Sequence, residues 1–298
     1  MVTRNRNRHF EILAPTDWTA PAVFNSPHSG RNYPKEFLAT SRLSPAALRK
    51  SEDCYVDELF MGCVRHGAPM LRAHTPRSFI DFNREPYELD PRMFADVLPG
   101  YVNSSSPRVM AGLGTIPRVV AEGEDIYRAP VRFAEALTRI EQIYRPYHRT
   151  LTALMDEVVA KSGSGLLIDC HSMPSSAAGN LSPANGARAD VVLGDRFGAS
   201  CSKAVTAWVD DLLRAEGLKV LRNKPYAGGF ITHSHGAPQS SRHALQIEIN
   251  RGLYLNEKTM EKSGDFAALQ AAFNRVVNRL LAGLGDLIAP AGRQLAAE

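Results

Sequence analysis

Two of the nine histidines stand where a chain can present an imidazole to a metal ion. His28 follows a short apolar run, and His171 follows another apolar run that ends in Asp-Cys. Catalytic zinc sites typically combine three protein ligands with one water, and neutral imidazole is a common ligand. A carboxylate ligand could come from Glu52 or Asp53, which stand where a helix is predicted to begin. Taken alone, however, a histidine of this kind is more often structural than a ligand.

The segment RSFIDFNR, residues 77–84, is predicted to be a short strand with charged side chains at both ends. An arginine presents a planar fork of donors that fits a carboxylate or an oxyanion. Arg77 could therefore polarise a scissile carbonyl, and Asn83 with Arg84 could bind a substrate carboxylate. The alternative is a strand that ends in surface charges, with an internal ion pair to Asp81.

Glu248 stands in a run of alternating apolar and polar residues, Leu-Gln-Ile-Glu-Ile-Asn at positions 245–250. This period of two predicts a strand with its polar side chains on the face opposite the apolar ones. A carboxylate that is partly desolvated beside a metal-bound water has the properties of a general base. If that face meets solvent, Glu248 is simply an exposed strand residue, and the pattern alone favours neither interpretation.

The segment KPYAGGFITHSHGAP is predicted to be a loop. Its adjacent glycines, Gly228 and Gly229, allow the backbone to come close to a ligand, and Tyr226 stands beside them. His233 and His235 could form a second metal site, but the pattern His-x-His is common in loops. We therefore expect this segment to bind substrate or to have a structural role as a loop.

Apolar runs of strand length alternate with helical patterns along the chain. The predicted strands include Val23-Phe24, residues 77–84, Leu166–Ile168, residues 191–195 and Leu245–Asn250. The predicted helices cover residues 137–158 with an interruption at Pro146, residues 196–213, and residues 266–287. This alternation predicts an α/β fold with helices on both faces of a sheet. Because such sheets carry their sites at the carboxyl ends of the strands, His28 and His171 are expected there.

The composition is that of a globular protein, since 44% of the 298 residues are hydrophobic and 22% are charged. The net charge of +4 is small and the basic residues are scattered, which argues against nucleic-acid binding. There is no apolar run of membrane-spanning length and no signal peptide, and the four widely spaced cysteines form no CxxC pair. We therefore expect a reduced, cytoplasmic protein with no nucleic-acid or membrane partner. The sequence does not indicate an oligomeric state.

Residues 87–128 differ from the rest of the chain in carrying many prolines and glycines and the polar run Asn-Ser-Ser-Ser. A long irregular segment inside a compact domain is usually functional or mobile. We expect either a surface excursion or an irregular loop or lid over the site.

Five motifs, in this order over about residues 22–254, resemble the N-formylglutamate amidohydrolase family: PHSG, RSFIDFNR, LLIDCHS, the Tyr-Ala-Gly-Gly loop and LQIEINRGLY. That family is similar, more distantly, to the zinc carboxypeptidases and to the aspartoacylase and succinylglutamate desuccinylase group. The resemblance implies one amidohydrolase domain over residues 1–298. It also implies a mixed central sheet flanked by helices, as in the zinc carboxypeptidase-like (phosphorylase/hydrolase-like) fold.

The resemblance further implies a role for each matching residue. The implied roles are metal ligation by His28, Asp53 and His171, general base catalysis by Glu248, carbonyl polarisation by Arg77, and substrate binding by Asn83, Arg84 and Arg251. The distant relatives carry their carboxylate ligand three residues after the first histidine, where this chain has Arg31. The carboxylate must therefore come from elsewhere, and Asp53 is preferred to Glu52.

The activity implied by the resemblance is hydrolysis of N-formyl-L-glutamate to formate and L-glutamate, in the setting of histidine degradation. It would depend on one Zn²⁺ ion or another divalent metal, and the partner would be a small acidic N-acyl amino acid. Two alternatives remain open. One is a deacylase or carboxypeptidase acting on another N-acyl amino acid or a short peptide, and the other is a non-catalytic binding protein for acidic ligands.

Overall fold

A computed structural model of the protein describes most of the chain. The described residues are 3–120, 123–178 and 188–288. The predicted irregular segment of residues 87–128 therefore includes two residues, 121–122, that lie outside the described part. The predicted domain of residues 1–298 likewise includes residues outside it.

The regular elements have the following bounds. The strands are β1 Thr3–Arg6, β2 Phe10–Ala14, β3 Ala22–Ser26, β4 Met70–Ala73, β5 Gly165–Met173, β6 Val191–Gly194, β7 Val220–Arg222, β8 Arg242–Asn250, β9 Leu255–Asn256 and β10 Glu261–Lys262. The α-helices are α1 Lys35–Thr40, α2 Pro45–Arg49, α3 Val56–Phe60, α4 Gly62–Arg65, α5 Pro107–Met110, α6 Phe133–Arg139, α7 Arg145–Ser162, α8 Lys203–Ala215, α9 Phe230–His235 and α10 Phe266–Leu287. Short 3-10 turns cover Pro91–Met93, Ser175–Ala177, Arg196–Gly198, Pro238–Ser240 and Arg251–Leu253.

Eight strands form one sheet in the order β1-β2-β4-β3-β5-β8-β6-β7. The central strands β4, β3, β5 and β8 are parallel to one another, and β7 is parallel to β6. The pairs β1/β2, β2/β4 and β6/β8 are antiparallel, so the sheet is mixed. Parallel neighbours end at the same edge of a sheet, and ligands bind in the crevice beyond that edge. The carboxyl ends of β3, β5 and β8 are therefore where a site is expected.

The two faces of the central strands differ in polarity. On β5, Ile168 and Cys170 belong to one hydrophobic cluster, whereas Leu167 belongs to the cluster on the other face. Asp169 and His171 follow Leu167 at steps of two and so share its face. One face of β5 thus stays apolar along its length, while the other becomes polar towards the carboxyl end.

The apolar face of the sheet is covered by α3, α8 and α10, whose side chains form one cluster with it. The helix predicted over residues 266–287 is confirmed as α10, and Phe273 at its centre is fully buried. The Phe273 ring meets that of Phe60 on α3 edge-on, with centroids 5.0 Å apart. This contact joins the C-terminal helix to the helix that follows Asp53 in the chain.

The other face is covered by α6 and α7, which are joined by a π-helical segment, Ile140–Tyr144. The predicted helical pattern over residues 137–158 is confirmed, and Pro146 lies just after the π-helical segment, where the Arg145 amide already bonds to the carbonyl of Ile140 instead of following the α-helical pattern. Tyr147 is fully buried and donates its hydroxyl to Asn25 Oδ1 of β3 at 2.5 Å. The helix is thereby bonded to the central sheet near the carboxyl end of β3.

The helix predicted over residues 196–213 begins later, at Lys203 of α8. Arg196 and Phe197 have φ values of 52° and 58°, in the left-handed region that an α-helix does not contain. The side chain of Ser202 then accepts a hydrogen bond from the Val205 amide and caps α8. The amphipathic pattern was correct for α8, but it extended too far in the N-terminal direction.

The strand predicted over residues 77–84 is wrong, because this segment is a loop. The amides of Phe79 and Ile80 turn back to the carbonyl of Pro76, and the amide of Asn83 bonds to the side chain of Asp81. Ile80 and Phe82, the alternating apolar residues, are nonetheless fully buried. The alternation of apolar and polar residues therefore indicated which side chains are buried. An irregular loop buries them here without pairing to a strand.

Among the described residues of the segment 87–128, the elements with stated bounds are the 3-10 turn Pro91–Met93 and the single-turn helix α5. Asp90 accepts hydrogen bonds from Arg92 and Arg118, each at 2.8 Å. The amide of Thr115 also bonds to the carbonyl of Glu88 at 2.7 Å. These hydrogen bonds join distant parts of the irregular segment to one another.

The predicted fold class is confirmed: an α/β fold with a mixed central sheet and helices on both faces. The predicted strands at Val23-Phe24, Leu166–Ile168, Leu245–Asn250 and residues 191–195 correspond to β3, β5, β8 and β6. None of the described helices combines the length and the apolarity that a membrane crossing requires.

Replacing Phe273 by alanine should lower the free energy of unfolding by about 3–5 kcal/mol, because the cavity it leaves in the helix layer cannot close fully. Urea denaturation followed by circular dichroism measures the change. Arg279→Ala on the exposed side of α10 is the control and should change stability by no more than about 0.5 kcal/mol. Equal unfolding midpoints for the two variants would contradict the assigned packing.

Candidate active site

Two buried histidines meet at the carboxyl ends of the central strands. His28 lies in the loop directly after β3, and His171 lies near the end of β5. Their ring centroids are 4.8 Å apart, and both residues are almost completely buried. The sequence-based placement of both at the strand ends is therefore correct.

Asp53 lies between these histidines. Its Oδ2 atom is 3.0 Å from His171 Nδ1 and 3.4 Å from His28 Nδ1. The amide of Asp53 donates to the carbonyl of His28, and the hydroxyl of Ser29 donates to the carbonyl of Asp53. These bonds tie the two loops together, so the side chains of His28 and Asp53 are held in a fixed relation.

Glu52, the other candidate carboxylate, faces away from the histidines. It accepts a hydrogen bond from the Tyr33 hydroxyl at 2.5 Å and lies 3.3 Å from Arg49 Nε. The choice of Asp53 over Glu52 therefore agrees with the geometry. His28, Asp53 and His171 form a group whose candidate ligand atoms all lie within 4.8 Å of one another. This group could bind a metal ion.

The outer nitrogens of both histidines face carboxylates. His28 Nε2 is hydrogen-bonded to Asp81 Oδ1 at 2.8 Å, and His171 Nε2 lies 2.9 Å from Asp169 Oδ2 in an ion-pair contact. Histidines that bind metals almost always donate their second ring N–H to such a group, which leaves the first nitrogen free as a ligand. His28 Nδ1 is buried and has no hydrogen-bond partner among the described residues. The donor set therefore fits a divalent metal.

The acidic surroundings favour positive charge at this group. Burial raises the pKa of Asp53, but hydrogen bonds with His171 and His28 outweigh burial and hold that pKa well below its ordinary value. Burial lowers the pKa of His171, but Asp169 and Asp53 outweigh burial and raise it well above the ordinary value. The carboxylates of Asp53 and Asp169 stabilise positive charge at the histidines. Either protons on the imidazoles or a bound metal cation can supply that charge.

Glu248 lies beside His171, with which it is paired across β5 and β8. It is 8% exposed, so the interpretation as a surface residue is wrong, and burial raises the pKa of its carboxyl to about 7. Gln246 Nε2 donates to Glu248 Oε1 at 2.8 Å, and Gln246 Oε1 accepts from the amide of Gly229 at 2.9 Å. Glu248 Oε2 has no such partner among the described residues.

Asp81, Asp169 and Gln246 support the site, although sequence analysis gave none of them a functional role. Asp169 precedes His171 by two positions on β5, and Gln246 precedes Glu248 by two positions on β8. Side chains separated by two positions share a face of a strand. That spacing was a readable signal for Asp169 and Gln246, whereas Asp81 was interpreted as a partner of an arginine.

Arg77 does pair with Asp81, as the alternative interpretation of this segment expected, since its Nε donates to Asp81 Oδ2 at 2.9 Å. Its two terminal nitrogens have no protein partner among the described residues, and its side chain is 25% exposed. The same carboxylate therefore orients both Arg77 and His28. The terminal guanidinium nitrogens of Arg77 are available to a bound molecule.

The side chains of Asn83 and Arg84 are held in place by hydrogen bonds to the rest of the protein. Asn83 Oδ1 accepts from the amide of Ile231 at 2.9 Å, and Asn83 Nδ2 lies 3.2 Å from His171 Nε2. Arg84 donates from Nε to the carbonyl of Leu113 and from Nη1 to the carbonyl of Asn83, each at 2.8 Å. Only the second terminal nitrogen of Arg84 is left without a described protein partner.

All three donor nitrogens of Arg251 contact the protein. Nη2 donates to Asp53 Oδ1 at 3.0 Å, Nε donates to the Ser172 hydroxyl at 3.1 Å, and Nη1 donates to the carbonyl of Lys50 at 3.0 Å. Arg251 thus holds one oxygen of Asp53 and leaves the other facing the histidines.

The predicted loop around Tyr226 is a loop only as far as Gly229, because His233 and His235 lie in the short helix α9. A β-carbon on Gly229 would lie 2.4 Å from the side-chain amide of Asn83, so only glycine lets the two segments approach this closely. Gly228 has a φ of 121°. Neither His233 nor His235 belongs to a described group of three or more metal-binding side chains.

These residues surround a cavity of about 400 Å³. It brings together the predicted ligands with Arg77, Asn83, Arg84, Tyr226, Gly228, Gly229, Glu248 and Arg251. Arg108, Leu113 and Val119 from the irregular segment complete its wall. The segment of residues 87–128 therefore contributes to the site, although its movement as a lid stays a prediction.

Comparisons with known proteins show which family the chain resembles. The family model described as N-formylglutamate amidohydrolase matches residues 20–255, which include every candidate site residue. N-formylglutamate deformylase from Pseudomonas aeruginosa is 27% identical over 277 residues, covering 91% of this chain and 97% of the relative.

Solved structures extend the comparison to the fold. The N-formylglutamate amidohydrolase from Ralstonia eutropha JMP134 superposes with a TM-score of 0.86 at 34% identity, over 93% of this chain and 98% of that chain. A gene product of Agrobacterium tumefaciens shares the fold with a TM-score of 0.65 at 14% identity, over 93% of this chain and 96% of that chain. The match of the family model over residues 20–255, together with the 34% identical structure, shows that the chain belongs to the N-formylglutamate amidohydrolase family.

Proposed function

We propose that this protein is an amidohydrolase that converts N-formyl-L-glutamate and water to formate and L-glutamate, as in histidine degradation. The observation that carries the proposal is the convergence of His28, Asp53 and His171 beside the buried carboxyl of Glu248. The names of the related proteins supply the substrate, and the cationic cavity wall suits its two carboxylates. The protein's partner is then this small acidic molecule.

We propose that His28, Asp53 and His171 hold one divalent metal ion, with Zn²⁺ the best fit to two imidazoles and a carboxylate. When bound, such an ion supplies a water of lowered pKa and stabilises negative charge on a carbonyl oxygen. Asp81 and Asp169 orient the two imidazoles, and Arg251 orients the carboxylate. For Arg251, its contacts support this positioning role better than the predicted contact with substrate.

Glu248 is proposed as the general base. Its free Oε2 would take a proton from the water that attacks the formyl carbon, and a pKa near 7 suits both acceptance and later release of that proton. The hydrogen bond from Gln246 keeps the carboxyl in one orientation. As the carbon–nitrogen bond breaks, Glu248 would pass this proton to the amine nitrogen, so that it departs as a neutral amine.

Arg77 is proposed to stabilise the negative charge that develops on the formyl oxygen. Its guanidinium is fixed by Asp81, so little reorganisation is needed when the charge appears. Arg84 would bind a substrate carboxylate through its free terminal nitrogen, while Asn83 holds the backbone of α9 against the site. Tyr226 and the backbone at Gly228 and Gly229 would form the adjoining cavity wall.

The remaining predictions also become proposals. We place the protein in the cytoplasm, because all four cysteines are free and buried, which suits a reducing compartment. We also propose that the chain forms one amidohydrolase domain, since strands from Thr3 to Asn250 share a single sheet.

Formate release from N-formyl-L-glutamate tests the proposed function. The purified protein should release formate, lose this activity after treatment with a chelator, and regain it when Zn²⁺ is restored. N-acetyl-L-glutamate and N-succinyl-L-glutamate serve as comparison substrates and should be hydrolysed more slowly. A folded, zinc-supplied protein that hydrolyses an acetyl or succinyl substrate preferentially would be another deacylase. One that binds these acids without hydrolysing any of them would be a binding protein.

Asp169→Asn tests the supporting carboxylate. The change should lower the affinity for Zn²⁺ by about 10- to 100-fold, because His171 loses the group that fixes its ring and raises its basicity. Competition with a coloured zinc chelator measures the affinity. Asp156→Asn, at an exposed carboxylate on α7, is the control and should bind Zn²⁺ like the wild type. Unchanged affinity in Asp169→Asn would contradict the assignment.

Glu248→Gln separates proton transfer from metal binding. The variant should lose about 10²- to 10⁴-fold in kcat, since a general base typically contributes that much. It should still bind one Zn²⁺ per chain, because Glu248 lies outside the ligand group. Near-normal turnover by the zinc-loaded variant would show that another group is the base.

A further inference from the structure

One cationic side chain that lines the cavity, that of Arg108, has no role in the reaction proposed above. Arg108 lines the cavity and makes no hydrogen bond or ion pair through its side chain among the described residues. By contrast, Arg77 is paired with Asp81, and Arg251 is paired with Asp53. Arg108 is only partly buried, so its guanidinium stays accessible from the cavity and can pair with an anion that binds there.

Arg108 is placed next to Arg84 by the backbone. The carbonyl of Arg108 accepts from the amide of Leu113 at 2.8 Å, and the carbonyl of Leu113 accepts from Arg84 Nε at 2.8 Å. The second bond joins the irregular segment to the buried guanidinium of Arg84, and the first joins that same residue, Leu113, to the backbone of Arg108. The positions of the two arginines are set together rather than independently.

The position of Arg108 is also fixed from its other side. The hydroxyl of Ser106 accepts from the amide of Val109 at 3.1 Å and donates to Glu88 Oε1 at 2.7 Å. Arg92 donates to the carbonyl of Met110 at 2.8 Å. The turn that carries Arg108 is thus held at both ends. Less conformational entropy is therefore lost when a ligand binds to its guanidinium.

The neighbouring guanidiniums repel each other. Burial lowers the pKa of Arg84 to about 10, and the positive charges of Arg77 and Arg108 also lower it, against the opposing effect of Asp81. One carboxylate, Asp81, lies 3.7 Å from Arg84, and it already serves Arg77 and His28. An anion bound near Arg84 and Arg108 would relieve this repulsion.

The proposed substrate carries two carboxylates, and their positions relative to the amide differ. The α-carboxylate is attached to the carbon that bears the scissile nitrogen, so it must lie close to the catalytic group. Arg84 suits it, because the adjacent Asn83 contacts His171. The side-chain carboxylate extends further away, towards the wall that the irregular segment provides.

We propose that Arg108 is a specificity-determining residue that binds the side-chain carboxylate of the substrate and so selects acidic N-formyl amino acids over neutral ones. This inference rests on the proposed function of the site. It assigns the irregular segment a role in substrate selection that does not require the segment to move.

Arg108→Gln tests the inference with two substrates of equal shape, N-formyl-L-glutamate and N-formyl-L-glutamine. The variant should lose about 10- to 100-fold in kcat/KM for the glutamate substrate, because the charge-assisted hydrogen bonds from the guanidinium to the side-chain carboxylate are lost. For the glutamine substrate the change should be within about threefold. Arg108→Lys, which keeps the charge, should retain a preference for the glutamate substrate and also checks that the turn tolerates substitution.

Arg149→Gln is the matched control, since it removes one positive charge from the exposed surface of α7 and should leave both rates unchanged. A wild-type protein with no activity on either substrate would overturn the proposed function and this inference with it. An active wild type, with Arg108→Gln losing both activities equally or neither, would overturn the assignment of Arg108 alone.

Discussion

The carboxylate of Asp53 is the group on which the arrangement of the site depends. One of its oxygens faces the inner nitrogens of His28 and His171, and the other is bonded to Arg251. A carboxylate buried this deeply is stable only when positive charge surrounds it. The protein supplies part of that charge through Arg251, and a divalent metal between Asp53 and the histidines would supply the rest.

The protein can fold around these buried charges because the two faces of the sheet differ in polarity. The face covered by α3, α8 and α10 stays apolar, so it can stabilise the fold without taking part in the chemistry. On the other face, apolar residues near the start of β5 and β8 give way to Asp169, His171, Gln246 and Glu248 at their ends. The proposed catalytic and supporting groups are adjacent because the register of two parallel strands places them side by side.

Strands and site residues could be predicted from the sequence where a residue pattern has only one structural explanation. The alternation around Glu248 identified a strand, and strand ends located His171 correctly. The same alternation failed for residues 77–84, because buried apolar side chains occur in loops as well as in strands. The contacts of Arg251 and the position of Arg108 depend on segments that are distant in sequence, and no local pattern encodes such contacts. The choice of Asp53 came from family resemblance and elimination rather than from a pattern.

The most direct measurement is X-ray diffraction at the zinc absorption edge from crystals of the protein grown with Zn²⁺. We expect one strong anomalous peak per chain, about 2.0–2.2 Å from His28 Nδ1, His171 Nδ1 and an oxygen of Asp53. Crystals that hold zinc only elsewhere on the chain, or none at this group at saturating Zn²⁺, would contradict the proposed metal site.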